Sequence, residues 1–527
     1  MEGYRTLHRF RQLCQSVVPW APWLLLLAYW IHFWNRLRFD WSAFAQYAFG
    51  WCVPLLALGL IFIRWESRPA PRPLQGSLRT VVTAAVVLAF LMHIPLCLVE
   101  EANAGWRPLL WFREFWLLGL TLATTALIGG WPWARHFAFP LFFTAVAVPW
   151  PSAWESAFVQ RLMQGSAAVA VEVLNIAGIA AVRHGNLIEV ATGLVGVEEA
   201  CSGVRGLQTS LMVSLVLGEL GLLSISRRSI LVLAGAVVAI LFNLLRAIVL
   251  SGLAATQGLG AVDQWHDAAG FAEFGGILAG VLLAYWVTKP RPVHVSSQRR
   301  GAVAEVPAGL RSISASIPVV GLLVLIAGAV ATATWYGLHE SSFSRTTRWT
   351  IQQPSEPSAI FSDFVSHPIP DRTRELLQAQ QGWSYSWSEP DGLDWRVFFF
   401  KWPRAGNPYV YASLTYHRPE VCMPASGFVL DQVVGDVETV PHGIPLTFRQ
   451  YRFHSSSGTV YAFYCFWENG QAPAQFDPMS RDHFGAVAAG QRLQERQMLQ
   501  LFVTGTHDND QAAAALKAAL EKLVVPQ

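Results

Sequence analysis

Nine long apolar segments constrain the fold of this chain more than any other feature. Each is close to the length of about 20 residues that an α-helix needs to cross the hydrocarbon core of a bilayer. The segments lie at residues 17–34, 43–63, 78–98, 109–129, 134–150, 204–223, 229–252, 269–287 and 313–335. Only 14% of the 527 residues are charged, against about 25% in an ordinary soluble domain. The sequence therefore predicts a polytopic α-helical membrane protein with nine transmembrane helices, the first retained rather than cleaved.

The basic residues of the short loops predict the orientation of these helices. Lys and Arg concentrate on the cytoplasmic side of a membrane. Here they are Arg64, Arg68, Arg72, Arg79, Arg135, Arg227, Arg228, Lys289, Arg291, Arg299, Arg300 and Arg311. Nine helices that start from a cytoplasmic N-terminus place all of these residues on the cytoplasmic side. Only the loop with Arg36 and Arg38 is basic and yet lies on the outer side. The segment 151–203, the loop 253–268 and everything after Tyr336 are then predicted to lie outside.

The chain after the ninth segment is more polar and predicts a separate soluble domain. Alternating runs at 395–400, 409–416 and 459–466 are typical of strands, and 510–523 has the pattern of an amphipathic helix. About 190 residues suffice for one α+β domain. The predicted organisation is a transmembrane domain at 1–290, a cytoplasmic linker and last helix at 291–336, and an outer α+β domain at 337–527.

The outer segment before residue 201 predicts one helix and one strand. Apolar residues follow a helical stripe over 154–176, namely Phe158, Leu162, Val169 and Val173. Such a helix either lies on the membrane interface or packs as an ordinary helix against the protein. Residues 186–192 predict a short strand.

Cys201 is the first candidate catalytic residue, because charged groups and a helix start surround it. It lies in the sequence EEACSGVRG at 198–206, just before the sixth apolar segment. A helix N-terminus and a nearby cation, here Arg205, lower the pKa of a thiol, while Ser202 and Gly203 could present backbone amides to an oxyanion. The alternative is a buried structural cysteine, which is the role expected for Cys14, Cys52 and Cys97.

Two further candidates interrupt apolar helices on the same predicted outer face. Arg246 needs a cavity or a partner inside a membrane, unless it extends to the outer headgroups. His266 suits general acid–base chemistry, or merely caps its helix. Glu273 lies seven residues beyond His266, on the same helical face, and would orient His266 or neutralise Arg246. Gly276 and Gly280 have a spacing that predicts close helix packing.

Other chemistries find little support in the sequence. The net charge of +3 is too small for nucleic-acid binding, and no CxxC or HExxH motif indicates a metal site. No Walker A motif indicates a nucleotide cofactor. We therefore expect neither a cofactor nor a metal.

The motifs together resemble the exosortase/archaeosortase family of membrane cysteine transpeptidases. The resemblance rests on Glu199-Ala200-Cys201-Ser202-Gly203-Val204-Arg205, Asn243-x-x-Arg246 and His266-x-x-x-Gly270, and it covers roughly residues 20–290. It implies Cys201 as the nucleophile, Arg246 as the stabilising cation and His266 as the acid–base. Glu199, Ser202, Gly203, Arg205 and Asn243 are then supporting residues.

The tail resembles the periplasmic domain that accompanies exosortases of exopolysaccharide loci. The matching residues are Tyr416 to Pro424, with the sequence YHRPEVCMP, and Tyr464 to Trp467, with the sequence YCFW. Cys422 with His417 and His454 would form a second thiol site. A disulfide between Cys422 and Cys465 is the alternative that an oxidising compartment favours.

The resemblance implies a cysteine-type endopeptidase or transpeptidase in a bacterial inner membrane, with a periplasmic C-terminal domain. Its substrates would be exported proteins with a C-terminal Pro-Glu-Pro motif, a membrane helix and a basic cluster. Exopolysaccharide machinery is a candidate partner, besides the lipid bilayer. The alternative function is a non-enzymatic component of exopolysaccharide assembly or export.

Overall fold

The computed structural model describes most of the membrane region and the strands of the tail. The described residues are 20–196, 203–290, 316–339, 349–352, 365–369, 373–374, 377, 379–403, 418–425, 427–455, 458–468, 482–492 and 495–526. The predicted strand at 409–416 lies outside these ranges.

Eleven α-helices make up the described part of the first 339 residues. They are α1 Ala21–Ala43, α2 Val53–Glu66, α3 Gly76–Leu91, α4 His93–Ala102, α5 Arg107–Gly129, α6 Trp131–Phe143, α7 Ser152–Ile176, α8 Val204–Leu220, α9 Ile225–Gln257, α10 Gly260–Thr288 and α11 Ser316–His339. The short strands β1 Ala181–His184, β2 Leu187–Val190 and β3 Gly193–Gly196 form an antiparallel sheet between α7 and α8. The predicted strand at 186–192 is therefore the middle of a three-stranded sheet.

Five of the described helical segments are long and apolar enough to cross a membrane. They are Ala45–Glu66, Gly76–Ala102, Ile225–Gln257, Gly260–Thr288 and Ile317–His339. They correspond to five of the nine predicted spans and confirm a multi-pass membrane protein, whereas the number nine stays a prediction. The helix α6, with 13 residues, is only about 20 Å long, and α1 and α5 carry charged residues within their spans.

The described residues group into two compact units that share several helices. The first comprises Met1–Trp150, Leu211–Val232 and Ala284–Leu338, and the second Pro151–Ser210, Leu233–Leu283 and His339–Gln527. The predicted domain boundaries at 290/291 and 336/337 stay predictions.

Hydrogen bonds from aromatic side chains connect the helices of the first unit. Tyr29 donates from its hydroxyl to the carbonyl of Gly321 (2.8 Å), which joins α1 to α11. Tyr336 donates to the carbonyl of Leu98 (2.6 Å), which joins α11 to α4. Buried tyrosine hydroxyls need a hydrogen-bond partner, so these bonds fix the last membrane helix against the first helices of the chain.

An ion-pair cluster joins three helix ends of the first unit. Glu219 near the end of α8 pairs with Arg64 of α2 and with Arg228 of α9, the second pair at 2.6 Å. Arg64 and Arg228 are two of the loop arginines that predicted the cytoplasmic side. The cluster shows that these basic residues also serve packing.

In the second unit, α7 packs against the small sheet and α9. Its buried residues include Val159, Met163 and Leu174, in one core with Ile188 of β2 and Ala247 of α9. Most of the predicted apolar stripe lies on the other side, where Phe158, Val169 and Val173 are exposed. The helix is therefore a packed helix that also leaves an apolar face uncovered by the described residues.

The tail is a seven-stranded antiparallel sheet with helices on its faces. Its elements are β4 Trp349–Ile351, β5 Val365–His367, β6 Gln381–Ser388, β7 Asp394–Trp402, α12 Pro419–Ala425, β8 Val429–Thr439, β9 Leu446–Ser455, β10 Gly458–Glu468, α13 His483–Ala488, β11 Arg496–Thr504, α14 Asn509–Leu523 and β12 Val524–Pro526. The strand order is β5-β6-β7-β11-β10-β9-β8, and β4 pairs with β12. These elements confirm the predicted strands at 395–400 and 459–466 and the closing helix.

Alternation along the strands gives the tail sheet two separate cores. One contains Cys465, Trp467 and the buried face of α14, including Leu516 and Leu520. The other, on the opposite face, contains Tyr464, Phe466 and the residues that pack around α12. The sheet is therefore covered on both faces, which suits a folded mixed α and β domain attached to the membrane helices.

Candidate active site

The backbone just after the predicted nucleophile lies against α9. Gly203 precedes α8 and has a φ of +75°, which side-chain-bearing residues rarely adopt. A Cβ atom there would lie 2.7 Å from Cγ of Asn243. Both the left-handed backbone and the close contact require glycine, so Gly203 brings the start of α8 to the helix that carries Arg246.

Asn243 occupies a buried position with hydrogen-bonding capacity to spare. Its side chain is 2% exposed, and its Nδ2 lies 3.5 Å from Oγ of Ser166 in α7. Its Oδ1 has no partner among the described residues. A buried amide oxygen without a donor is costly, so Asn243 is suited to hold the adjacent backbone at Gly203.

Arg246 contacts both a carboxylate and an imidazole on α10. Its Nη1 lies 3.0 Å from Oε2 of Glu273, and its Nη2 lies 3.0 Å from Nε2 of His266. Both charged side chains are buried, with Arg246 8% and Glu273 9% exposed. Glu273 was predicted either to orient His266 or to neutralise Arg246, and in the structure it pairs with Arg246. The interpretation of Arg246 as extending to the headgroups is wrong, because its guanidinium is buried against α10.

The contacts of His266 specify its tautomer. A guanidinium has no acceptor, so His266 must accept the bond from Arg246 with its Nε2 lone pair. The proton of the neutral ring is then on Nδ1, which lies 3.0 Å from Oδ1 of Asp267. Asp267, rather than Glu273, is therefore the carboxylate that orients His266. Sequence reasoning missed this role, although the two residues are adjacent.

Glycines let the helices of the site approach one another. A Cβ atom on Gly276 would lie 2.1 Å from Phe242, and one on Gly280 would lie 2.6 Å from Val238. The predicted close packing of α9 and α10 at these glycines is confirmed. Gly270 leaves the guanidinium of Arg246 in ordinary contact with α10, at 3.5 Å from the position of a Cβ atom.

The structure brings together some of the predicted site residues and leaves others undescribed. Gly203 lies against Asn243, and Arg246, three residues further along α9, contacts His266. Glu199, Cys201 and Ser202 lie outside the described residues. Arg205 is exposed on the first turn of α8.

The tail does not contain the predicted disulfide. Cys422 and Cys465 both carry thiols. Cys465 belongs to the core on one face of the sheet, whereas Cys422 packs against the core on the other face. Because a disulfide needs Cα atoms within about 7 Å and Cβ atoms directed at each other, residues on opposite faces of a covered sheet cannot form one.

The second thiol site is not assembled in the described part of the tail either. His454 pairs with Asp431, and His417 lies outside the described residues. Burial, together with the nearby carboxylate of Glu420, raises the pKa of Cys422 to about 12. Such a thiol is protonated at neutral pH and is a poor nucleophile.

We expect iodoacetamide at pH 8 to modify Cys422 at least about 100-fold more slowly in the native protein than after denaturation. At four pH units below the folded pKa, roughly one thiol in ten thousand is ionised, against about a quarter at the ordinary pKa. Mass spectrometry of tryptic peptides would measure the rate. Equal modification in both states, or a peptide linked through Cys422 and Cys465, would contradict the assignment.

Two other predicted structural cysteines have different outcomes. Cys97 is buried as expected, whereas Cys52 is exposed, so the expectation of burial is wrong for Cys52. Cys52 precedes α2 and lies beside the exposed Trp51. Cys14 lies outside the described residues.

Comparison with known families identifies the region of the chain that contains these residues. The family model described as transmembrane exosortase matches residues 41–283. Residues 41–283 belong to the transmembrane exosortase family. The match includes Cys201, Arg246 and His266 and confirms the resemblance seen in the sequence. No curated protein and no solved structure matches the chain.

The match supports the general class of the protein. The protein has several helices able to cross a membrane, and the family that residues 41–283 match consists of sorting-related transpeptidases that in general use cysteine. The matched region ends before α11 and the tail. The resemblance of the tail to an exosortase-associated periplasmic domain stays a prediction.

Proposed function

We propose that this exosortase is a cysteine protease/transpeptidase that cleaves the C-terminal sorting signals of exported proteins through a thioester. The observation that carries the proposal is the contact of Arg246 with His266 and Glu273, next to the close approach of Gly203 to Asn243. Only two peptide units separate Cys201 from Gly203, which limits the distance between their Cα atoms to about 7 Å. In the proposed mechanism the thiol of Cys201 acts beside Asn243 and Arg246.

The site has the proton acceptor and the hydrogen-bond donor that acyl transfer needs, namely His266 and Arg246. In the proposed reaction Nε2 of His266 accepts the proton of the Cys201 thiol, and the thiolate attacks the scissile carbonyl. The tetrahedral oxyanion then accepts a hydrogen bond from Arg246, whose Nη2 is released when His266 becomes protonated. His266 returns its proton to the leaving amine as the C–N bond breaks, which leaves a thioester on Cys201.

The second half-reaction consumes the thioester. An amine, a hydroxyl or water attacks the acyl carbon while His266 accepts its proton, and the thiolate leaves. Glu273 keeps Arg246 in place in both halves, because it holds Nη1 while Nη2 changes partner. Asp267 holds His266 in the tautomer that both halves need.

We propose a membrane-anchored substrate that meets these residues at the outer face of a bacterial inner membrane. A C-terminal Pro-Glu-Pro motif followed by a membrane helix and a basic cluster would present its scissile bond at that level. Anchoring of both reactants in one bilayer supplies proximity without a large soluble binding surface. In this arrangement the N-terminus is cytoplasmic and the tail periplasmic, where exopolysaccharide machinery is a candidate partner.

The direct test is capture of the thioester. Full-length protein is co-expressed with a tagged exported protein that ends in Pro-Glu-Pro, an apolar helix and an Arg cluster. We expect a shortened tagged product and a hydroxylamine-sensitive adduct, both absent in Cys201→Ala. Cys52→Ser, which removes an exposed thiol outside the site, serves as the matched control and should process normally.

Continued processing by Cys201→Ala would eliminate the proposed mechanism. A normal level of surface polysaccharide with wild type, combined with its loss in a deletion but not in Cys201→Ala, would favour the non-enzymatic assembly function. Immunoblots of the tagged protein and measurement of extracellular polysaccharide in the same strains distinguish these outcomes.

A further inference from the structure

Two imidazoles and one thiol meet inside the first unit, among α1, α4 and α11. His93 and Cys97 lie one turn apart on α4, with Nε2 of His93 3.3 Å from Sγ of Cys97. The ring of His32 on α1 lies 5.4 Å from the ring of His93, centroid to centroid. One potential ligand atom from each of the three residues lies within 4.8 Å of the others. We refer to His32, His93 and Cys97 as the His₂Cys cluster.

One nitrogen of each imidazole in the His₂Cys cluster lacks a hydrogen bond. His93 is 1% exposed. Nδ1 of His93 and Nε2 of His32 are buried and have no hydrogen-bond partner among the described residues, whereas Nε2 of His93 contacts the thiol. Leaving a buried polar atom without a partner costs about 1–3 kcal/mol. Because neutral imidazole nitrogens are among the commonest metal ligands in proteins, coordination would use the unpartnered Nε2 of His32 together with Nε2 of His93, which faces the thiol.

A glycine on the last membrane helix keeps the space beside the donor atoms open. A Cβ atom on Gly328 would lie 3.3 Å from Sγ of Cys97 and 3.3 Å from Nε2 of His93. These are tight contacts to the two atoms that would bind an ion. The helix α11 therefore passes the cluster at the one kind of residue that adds no side chain over it.

The ligand set and the surrounding charges favour a soft, monovalent ion. A thiolate with imidazoles selects thiophilic metals, Cu⁺ and Zn²⁺ among them. Structural zinc sites are almost always four-coordinate, whereas the cluster offers three ligands. Glu100, nearby on α4, pairs with Arg113 and with Arg36, the latter at 3.5 Å, and Glu101 is a second carboxylate that acts on Cys97, so these fixed charges balance. Cu⁺ would then neutralise the thiolate, whereas Zn²⁺ would leave one excess positive charge in a medium of low dielectric constant.

We propose that His32, His93 and Cys97 form a binding site for a thiophilic transition-metal ion, with Cu⁺ as the ion that fits best. The competing interpretation is an aromatic packing cluster without a ligand. His93 does pack edge-to-face against Tyr29 and is stacked with Trp116, at centroid distances of 4.8 and 5.9 Å. Packing alone explains the positions of the rings, but it does not explain why the thiol, the unpartnered Nε2 of His32 and Gly328 lie together.

The test is a titration of the purified full-length protein in lipid nanodiscs with Cu⁺, buffered by a chromophoric chelator, and separately with Zn²⁺. We expect one Cu⁺ per chain with binding at least about 100-fold weaker in Cys97→Ser and His93→Leu. Gly328→Ala should also weaken binding, because its methyl group would occupy the space beside the donors. Cys52→Ser, which removes an exposed thiol, is the matched thiol control and should bind as wild type does.

X-ray absorption at the copper edge of the wild-type protein keeps the proposal testable even where a variant fails to fold. One sulfur and two nitrogen ligands in the first shell would support it. A spectrum without sulfur, binding of less than about 0.1 ion per chain, or equal binding in Cys97→Ser would overturn it. Stronger retention of Zn²⁺ than of Cu⁺ would overturn the preference for copper.

Discussion

Replacing Arg246 with lysine should leave the protein folded and reduce processing of a sorting-signal substrate by roughly 100-fold. Lysine keeps the positive charge opposite Glu273 but is a single ammonium on a flexible chain. It cannot hold Glu273 with one nitrogen and offer a second to His266 or an oxyanion, as Nη1 and Nη2 do at 3.0 Å each. The rate of product formation in membranes measures the effect, and the thermal midpoint in detergent checks the fold.

Two further variants separate catalysis from stability at this position. Arg246→Gln should destabilise the protein by about 3–5 kcal/mol, because it leaves the buried carboxylate of Glu273 without its cation. The double variant Arg246→Gln with Glu273→Gln should recover most of the thermal midpoint and none of the activity. Arg183→Gln, which removes the exposed guanidinium of β1, is the control for charge alone. Full activity in Arg246→Lys would show that a point charge suffices and would refute the two-contact role.

The membrane elements could be predicted where a span is uniformly apolar. Hydropathy located α2, α3–α4, α9, α10 and α11 because few charges interrupt them. It was less informative for α1 and α5, because their charged residues are paired across helices. Arg113 of α5 and Arg36 of α1 both reach Glu100 of α4, and no property of a single segment reveals such pairs.

The sequence predicted which residues belong to the candidate site but not which of them contact one another. Helical periodicity alone put His266 and Glu273 on one face of α10. Which of them Arg246 would contact depends on the packing of α9 against α10, which Gly276 and Gly280 determine through contacts with Phe242 and Val238. Arg246 contacts both residues, and this could not be predicted from their spacing in the sequence.

The disulfide prediction was wrong because it relied on the oxidising compartment and did not consider on which face of the sheet each cysteine lies. Alternation along the run at 459–466 already placed Cys465 on the face opposite to Tyr464 and Phe466. The position of Cys422 depends on α12, which packs against the core on the Tyr464 side, and nothing local indicates that choice. The His₂Cys cluster was missed for a related reason, since the four-residue spacing of His93 and Cys97 is visible whereas the approach of His32 is tertiary.

Replacing Glu100 with alanine should destabilise the first unit by about 3–5 kcal/mol, because it leaves the buried guanidinium of Arg113 without its carboxylate. The two side chains are 4% and 1% exposed, so solvent screens the pair little. The double variant Glu100→Leu with Arg113→Met removes both charges at similar volume and should recover most of the loss. Glu172→Ala, which removes an exposed carboxylate of α7, should change stability by no more than about 0.5 kcal/mol. Thermal unfolding followed by tryptophan fluorescence in one detergent compares all four proteins. A double variant as unstable as Glu100→Ala would mean that the carboxylate acts through Arg36 or through packing instead of through Arg113.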